Sequence, residues 1–225
     1  MKISVIVPVF NEKETIKEVL RRIKNVKLEK EIIVIDDYST DGTRQILKKI
    51  HDKEIKVIFH SHNKGKGAAI RAAQMQVGGD IVTIQDADLE YEPKDYLSLV
   101  KPIKNGRADV VYGSRFLGEH KFSSFWHYFG NKFLTWVTNV LYRARLTDME
   151  TCYKAFESSI FLNLNIKAKR FDFEPEITAR ILKANLRIVE VPVTYNARYC
   201  KEGKKITWKD GLAALWTLLK YRFVD

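Results

Sequence analysis

Apolar and polar positions follow two different periods along the first half of the chain. Short aliphatic runs, Ile3 to Val7, Glu31 to Ile35, Lys56 to His60, Ile81 to Ile84 and Ala108 to Tyr112, have the length of strands. Between them the spacing widens to that of helices. In the first such stretch Ile16, Val19, Leu20 and Ile23 recur on one face, with Asn11 as the expected cap and Glu14 at the third position after it. Ala69, Ile70 and Ala73 mark another helix after Lys66, and Pro93 opens a further one at its first turn. This β-α-β-α-β-α-β-α-β order predicts an α/β fold: a doubly wound, mostly parallel central sheet flanked by helices. With 225 residues and 45% hydrophobic content, one compact domain over 1–225 is expected.

Strand ends in such a sheet are where ligands bind. Here several are unusually polar: "VPVFNE" after the first run, "VIDDYSTDGT" after the second and "IQDADLE" after the fourth. Their common edge predicts one crevice. Acids such as Asp86, Asp88 and Glu90 at its mouth can hold a divalent metal or ribose hydroxyls while their strand stays buried.

Charge changes the picture only in part. Lys and Arg total 39 against 28 Asp and Glu, a net +11 that favours a polyanionic partner: nucleic acid, an anionic membrane surface or phosphorylated ligands. A basic nucleic-acid-binding protein without catalysis accounts for the charge, but acids lining the crevice repel a phosphate backbone, so no nucleic-acid partner is expected. A nicotinamide dehydrogenase is disfavoured because "PVFNE" follows the first strand where a glycine fingerprint belongs. Apolar stretches are broken well before about 18 residues, so neither a transmembrane helix nor a signal peptide is expected and the location is read as cytoplasmic. Cys152 and Cys200 show no metal-ligand spacing and read as free thiols.

The second half carries apolar stripes at helical spacing. Phe122, Phe125, Trp126, Phe129, Phe133, Trp136, Val137 and Val140 recur among Lys121, Lys132, Arg143 and Arg145. From Trp208 to Tyr221, Leu212, Leu215, Trp216 and Leu219 form a second stripe. Aromatic stripes with basic flanks suit helices lying in a membrane interface; packing on the sheet or on a second subunit, as a homodimer, is the alternative.

"VIVPVFNE", "IIVIDDYSTDGT", "HNKGKGAAIRAA", "IQDADLE" and "VYGSRF", followed by "TDMETCYKAF", "FDFEPEI", "VEVPVTYNAR" and "EGKKITWKDG", cover nearly the whole chain. In this order they resemble glycosyltransferase family 2, and within it the polyprenyl-phosphate (dolichol-phosphate) sugar synthases. The resemblance implies a GT-A fold, with residues 1–115 binding the nucleotide sugar and 116–225 the acceptor. It implies inverting transfer of a hexose from GDP-mannose or UDP-glucose to a polyprenyl phosphate at the membrane surface; a relative acting on a soluble saccharide is the alternative. By motif match, Pro8, Asn11, Glu12 and Asp37 line the nucleotide pocket, with Asp37 reaching the base. Asp86 and Asp88 form the D-x-D pair for Mg²⁺ or Mn²⁺, and Glu90 stands at a further metal-proximal position. Lys66 and the amides of "NKGKG" offer anion stabilisation. Arg115 in "GSRF" is suited to clamp a phosphate bidentately, and Arg198 with Lys204 and Lys205 forms a second basic cluster for the acceptor phosphate. Asp148 matches the position of a candidate base, or of a group that orients the acceptor. A lipid phosphate is already ionised and needs cations; a sugar hydroxyl needs a base.

Overall fold

The computed structural model of the protein describes residues 1–121, 125–197 and 208–224. In chain order the elements are β1 (Ile3–Val9), α1 (Ile16–Asn25), β2 (Lys30–Asp36), α2 (Thr43–Leu47), β3 (Ile55–Phe59), α3 (Lys66–Gln74) and β4 (Ile81–Ile84). A 3₁₀ turn at Pro93–Asp95 leads into α4 (Tyr96–Lys104), followed by β5 (Val110–Ser114), β6 (His120–Lys121), α5 (Phe125–Tyr142) and β7 (Lys154–Glu157). Then come α6 (Ser158–Asn163), α7 (Phe173–Lys183), β8 (Ile188–Pro192), β9 (Tyr195–Asn196) and α8 (Trp208–Phe223).

Continuous aliphatic runs form strands covered on both faces, and β2 and β4 are buried along their whole length. The described strands assemble a seven-stranded sheet in the order β3-β2-β1-β4-β7-β5-β8. The pairs β2/β3, β1/β2, β1/β4 and β5/β8 are parallel. Strand β7 is antiparallel to both β4 and β5, which it separates. Its reversal decides the site. Because β7 begins where its neighbours end, the segment before Lys154 is delivered to the same rim as the ends of β4 and β5.

Helix α1 buries Ile16, Val19, Leu20 and Ile23 as the periodicity requires, but its start differs from expectation. Asn11 is no cap. It takes a left-handed conformation (φ 54°), and the turn into the helix is closed by the Glu12 carbonyl, which accepts from the Thr15 and Ile16 amides. Asn11 Oδ1 instead accepts from the Thr40 amide at 2.8 Å. Tip-to-tip bonding between loops has displaced a local cap.

The apolar stripes of the second half divide. On α5, Val137 packs against the core, whereas Phe129, Phe133, Trp136 and Val140 face outward. On α8, Ala214, Leu218 and Tyr221 are buried, and the stripe Leu212, Trp216 and Leu219 is exposed together with Phe223. The helices pack on each other, and the Tyr142 hydroxyl of α5 donates to the Leu218 carbonyl of α8 at 2.7 Å. No described helix is long and apolar enough to cross a membrane.

Candidate active site

The rim formed by the carboxyl ends of β1, β2, β4 and β5 gathers most of the residues singled out by the sequence. At the tip of β1, Pro8 pairs with Ile35, the Asn11 amide donates to Ser39 Oγ at 2.9 Å and the Glu12 amide to Thr43 Oγ1 at 2.9 Å. Glu12 is buried, with its carboxylate 2.9 Å from the Thr15 hydroxyl. That hydroxyl donates to the Ala87 carbonyl at 2.6 Å, tying the β1 loop to the segment that carries Asp86 and Asp88.

Asp37, just past β2, is buried and heavily bonded. Its carboxylate accepts from the Lys64 amide (2.8 Å) and the Gly65 amide (2.7 Å) and meets His60 Nδ1 at 2.7 Å. Its observed task is to hold the loop that leads into α3. Besides these two amides, the Gly67 amide of "NKGKG" donates to the Arg170 carbonyl, and the Ala68 amide just beyond it to that of Lys169. The two glycines serve the same contact. A Cβ at Gly65 would lie 2.3 Å from the Lys169 carbonyl oxygen, and one at Gly67 would lie 2.7 Å from that of Ala168. In the structure the Lys64 and Gly65 amides meet Asp37, and the 168–170 loop packs against Gly65 and Gly67.

Lys66 is the charged centre of this side. Its ammonium lies 2.9 Å from Asp86 Oδ1 and 2.8 Å from Glu174 Oε1, the latter reaching in from the first turn of α7. Burial opposes its charge, and the Asp86 and Glu174 carboxylates outweigh that, raising its pKa above the ordinary lysine range. Asp88 Oδ1 accepts from the Glu90 amide at 3.1 Å around Leu89, a left-handed residue (φ 65°). A branched side chain in that conformation is strained, a common feature of rims that aim functional groups. Glu90 Oε2 accepts from the Tyr195 hydroxyl at 2.9 Å. Among the described residues, no His, Cys, Asp and Glu side chains converge into a ready-made metal cage. The hard oxygens of Asp86, Asp88 and Glu90 are nonetheless the donors that Mg²⁺ and Mn²⁺ take, and such ions are usually held by one or two carboxylates with substrate phosphates completing the shell.

Across the rim, Arg115 and Asp148 form a bidentate pair. Arg115 Nε donates to Asp148 Oδ2 and Nη2 to Oδ1, both at 2.7 Å, and the Arg115 amide adds a bond of 2.9 Å to Oδ2. Arg115 Nη2 also reaches Asn131 Oδ1 of α5 at 3.3 Å. Burial works against the guanidinium's charge, and the Asp148 carboxylate more than offsets it, so the pKa is pushed up. Asp148 is fully buried with both oxygens accepting from Arg115, a geometry that suits an orienting partner and leaves it badly placed as a base. Arg198, Lys204 and Lys205 lie outside the described residues, as does Cys200. Cys152 is buried, and burial first, then Asp86, raises its thiol pKa above the ordinary range, so it stays protonated.

Several groups had no mark in the sequence pattern. Gln85 anchors the acidic segment, its Oε1 accepting from the hydroxyls of Tyr96 (2.7 Å) and Tyr153 (2.5 Å). Glu190 of β8 accepts from the Thr147 amide (2.8 Å) and the Asp148 amide (3.1 Å), fixing the segment that carries Asp148. Glu150 has a buried Oε1 with no hydrogen-bond partner. Burial and then Glu174 push its pKa up to about 7, while Lys154, donating to the Met149 and Thr151 carbonyls, is drawn down to about 8 by burial. The charged residues of "TDMETCYKAF" beside its Met149, Cys152 and Phe156 were the available signal for Glu150 and Lys154.

Comparison with known proteins adds a family to this geometry. A model described as Glycosyl transferase family 2 matches residues 4–162. The chain is 30% identical over 214 residues to the dolichol-phosphate mannosyltransferase of Pyrococcus furiosus, a match covering 91% of this chain and 59% of that protein. It thus spans less than two thirds of that relative's length. It is 28% identical over 246 residues to the undecaprenyl-phosphate mannosyltransferase of Micrococcus luteus, covering 99% of each. The crystal structure of glucosyl-3-phosphoglycerate synthase from Mycobacterium tuberculosis, in complex with Mn²⁺, UDP and phosphoglyceric acid, superposes with a TM-score of 0.76 at 20% identity, covering 100% of this chain and 79% of that one. The same enzyme with Mg²⁺ and UDP gives 0.74. The shared architecture is the GT-A fold.

Proposed function

The chain belongs to glycosyl transferase family 2, and on that premise we propose that it transfers a hexose, with inversion, from a nucleotide diphosphate sugar to a polyprenyl phosphate at a membrane surface. The observation that carries this reading is the division of the rim: the partly open Asp86, with Asp88 and Glu90 following it, on one side, and a buried guanidinium held by Asp148 on the other. The acids suit a donor whose diphosphate arrives with a divalent ion, and Arg115 suits an acceptor that is itself an anion.

In this reading Asp86 and Asp88 hold Mg²⁺ or Mn²⁺, with Glu90 alongside. The ion neutralises charge growing on the departing nucleoside diphosphate. Pro8, Asn11 and Glu12 shape the nucleotide pocket, and Asp37 contributes by fixing the 64–65 loop against it. Lys66 balances Asp86 and Glu174. Arg115, held by Asp148, presents its guanidinium to the acceptor phosphate, and Asn131 limits its swing. For Arg198, Lys204 and Lys205 the resemblance implies a role toward the same acceptor phosphate. The relatives named for dolichol and undecaprenyl phosphates support this acceptor class. GDP-mannose and UDP-glucose are the donors to try.

The exposed faces of α5 and α8 complete the proposal. Phe129, Phe133, Trp136, Leu212, Trp216 and Phe223 stand outward beside exposed Arg143, Arg145, Lys220 and Arg222, which suits peripheral docking on anionic lipid. Incubation with labelled sugar nucleotide, Mn²⁺ and a short polyprenyl phosphate should move label into organic solvent. Label that stays aqueous with every donor and both ions defeats the reading. Glu150 favours the alternative of a soluble saccharide acceptor, because its partnerless oxygen and raised pKa suit a base for a hydroxyl. In that case label appears on added sugar and Glu150→Gln abolishes the transfer.

A further inference from the structure

Tyr195 touches both sides of the rim. Its hydroxyl donates to Glu90 Oε2 at 2.9 Å, and its ring lies under Arg115, whose guanidinium carbon is 5.2 Å from the ring centroid. The residue is held for this position. Strand β9 runs beside the acidic segment, with a Tyr91↔Tyr195 bridge and the Asn196 amide donating to the Glu90 carbonyl at 2.9 Å. Tyr195 also packs on the Tyr91 ring at 5.1 Å, and Tyr91 stacks on Tyr153 at 4.4 Å. Tyr153 in turn bonds Gln85, immediately before Asp86. The ring therefore has little freedom to move independently of either side. A reorientation of the Glu90 carboxylate moves the oxygen that the Tyr195 hydroxyl bonds, and a shift of that ring changes the surface on which the guanidinium rests.

We propose that Tyr195 is a positioning residue that couples the two halves of the reaction, its hydroxyl setting Glu90 on the donor side and its ring setting Arg115 on the acceptor side. The inference rests on the donor and acceptor assignments made above. Coupling of two binding sites through one side chain is reciprocal by linkage, typically a factor of about 5 to 150 in affinity. Bound nucleoside diphosphate with metal should accordingly tighten acceptor binding, and the acceptor should tighten the nucleotide by the same factor.

The test is calorimetric and needs no turnover. GDP and UDP are each titrated into the full chain with Mn²⁺, with and without saturating farnesyl phosphate. The wild-type protein should bind one nucleotide about fivefold or more tightly when farnesyl phosphate is present. In Tyr195→Phe, which keeps the ring and removes the bond to Glu90, that ratio should fall to about one while the melting temperature stays put. Tyr195→Leu, which removes the ring, should weaken farnesyl phosphate binding several-fold with nucleotide affinity nearly unchanged. A wild-type ratio of one, or an undiminished ratio in Tyr195→Phe, overturns the coupling. Failure of the wild-type protein to bind either nucleotide in a metal-dependent way sinks the functional reading itself, which separates the two failures.

Discussion

Two buried ionic clusters face each other across the rim, and they are built on opposite plans. Lys66 is one cation shared by Asp86 and Glu174, with Asp88 and Glu90 close by in sequence. Arg115 and Asp148 form a bidentate pair in which three donors of Arg115 meet one carboxylate. Exposure follows the same division: the Asp86 side chain keeps 22% of its surface open, and that of Asp148 keeps none. A partly open carboxylate can exchange one partner for an incoming cation. A fully buried carboxylate whose oxygens are filled by one guanidinium serves to hold that group still. The contrast argues that ions enter on the β4 side and that the β5 side supplies fixed geometry.

Breaking the sealed pair should have the largest effect. Asp148→Asn leaves Arg115 buried without its counter-charge and should cost about 3–5 kcal/mol of unfolding free energy, read by urea denaturation. A variant of unchanged stability and no activity would instead make Asp148 a base. On the open side Asp88→Asn should do the reverse, with little change in melting temperature. Mn²⁺-dependent nucleotide affinity and turnover should fall by about 100-fold or more, since even groups one step removed from a metal cost 10–100-fold. Equal nucleotide binding with and without metal in the wild-type protein would erase the contrast.

A smaller effect belongs to Glu150, which stands between the clusters. Its pKa is raised from 4.5 to about 7, so the folded state holds a proton that the unfolded chain releases. The associated stability is fully present below about pH 4.5 and is lost as pH rises through 7, an effect of roughly 3 kcal/mol. Glu150→Gln should flatten the stability profile between those limits, checked by urea unfolding at pH 5 and pH 7.5. The smallest change is expected far from the rim. Phe133→Ser with Trp136→Ser should leave nucleotide binding and melting temperature nearly unaltered and reduce co-sedimentation with phosphatidylglycerol vesicles several-fold. Loss of a dimer in that variant, with vesicle binding intact, would assign the face to a second copy of the chain.

Much of this was legible in the amino-acid order. Aliphatic runs and their polar ends fix strands and rim because burying β-branched residues and exposing carboxylates are local consequences of residue type. Hence β1 to β4, the inward face of α1 and the gathering of Asn11, Glu12, Asp37 and Asp86 at one edge follow from the pattern. What each polar group touches does not. Asn11 reads as a cap and bonds across to Thr40; the amides around Lys66 read as an anion cradle, and its glycines admit the 168–170 loop; Asp148 reads as a base or an orienting group and is bonded by Arg115. Strand β7 enters the sheet against the direction of its neighbours, a choice of topology that sets Glu150 and Asp148 at the rim. Sequence alone determined which residues are apolar, charged or flexible, and so the class of fold and of ligand. Pairing between groups as much as 105 positions apart, as for Glu90 and Tyr195, was decided by the tertiary structure, because a buried carboxylate bonds whichever donor the folded chain brings within reach.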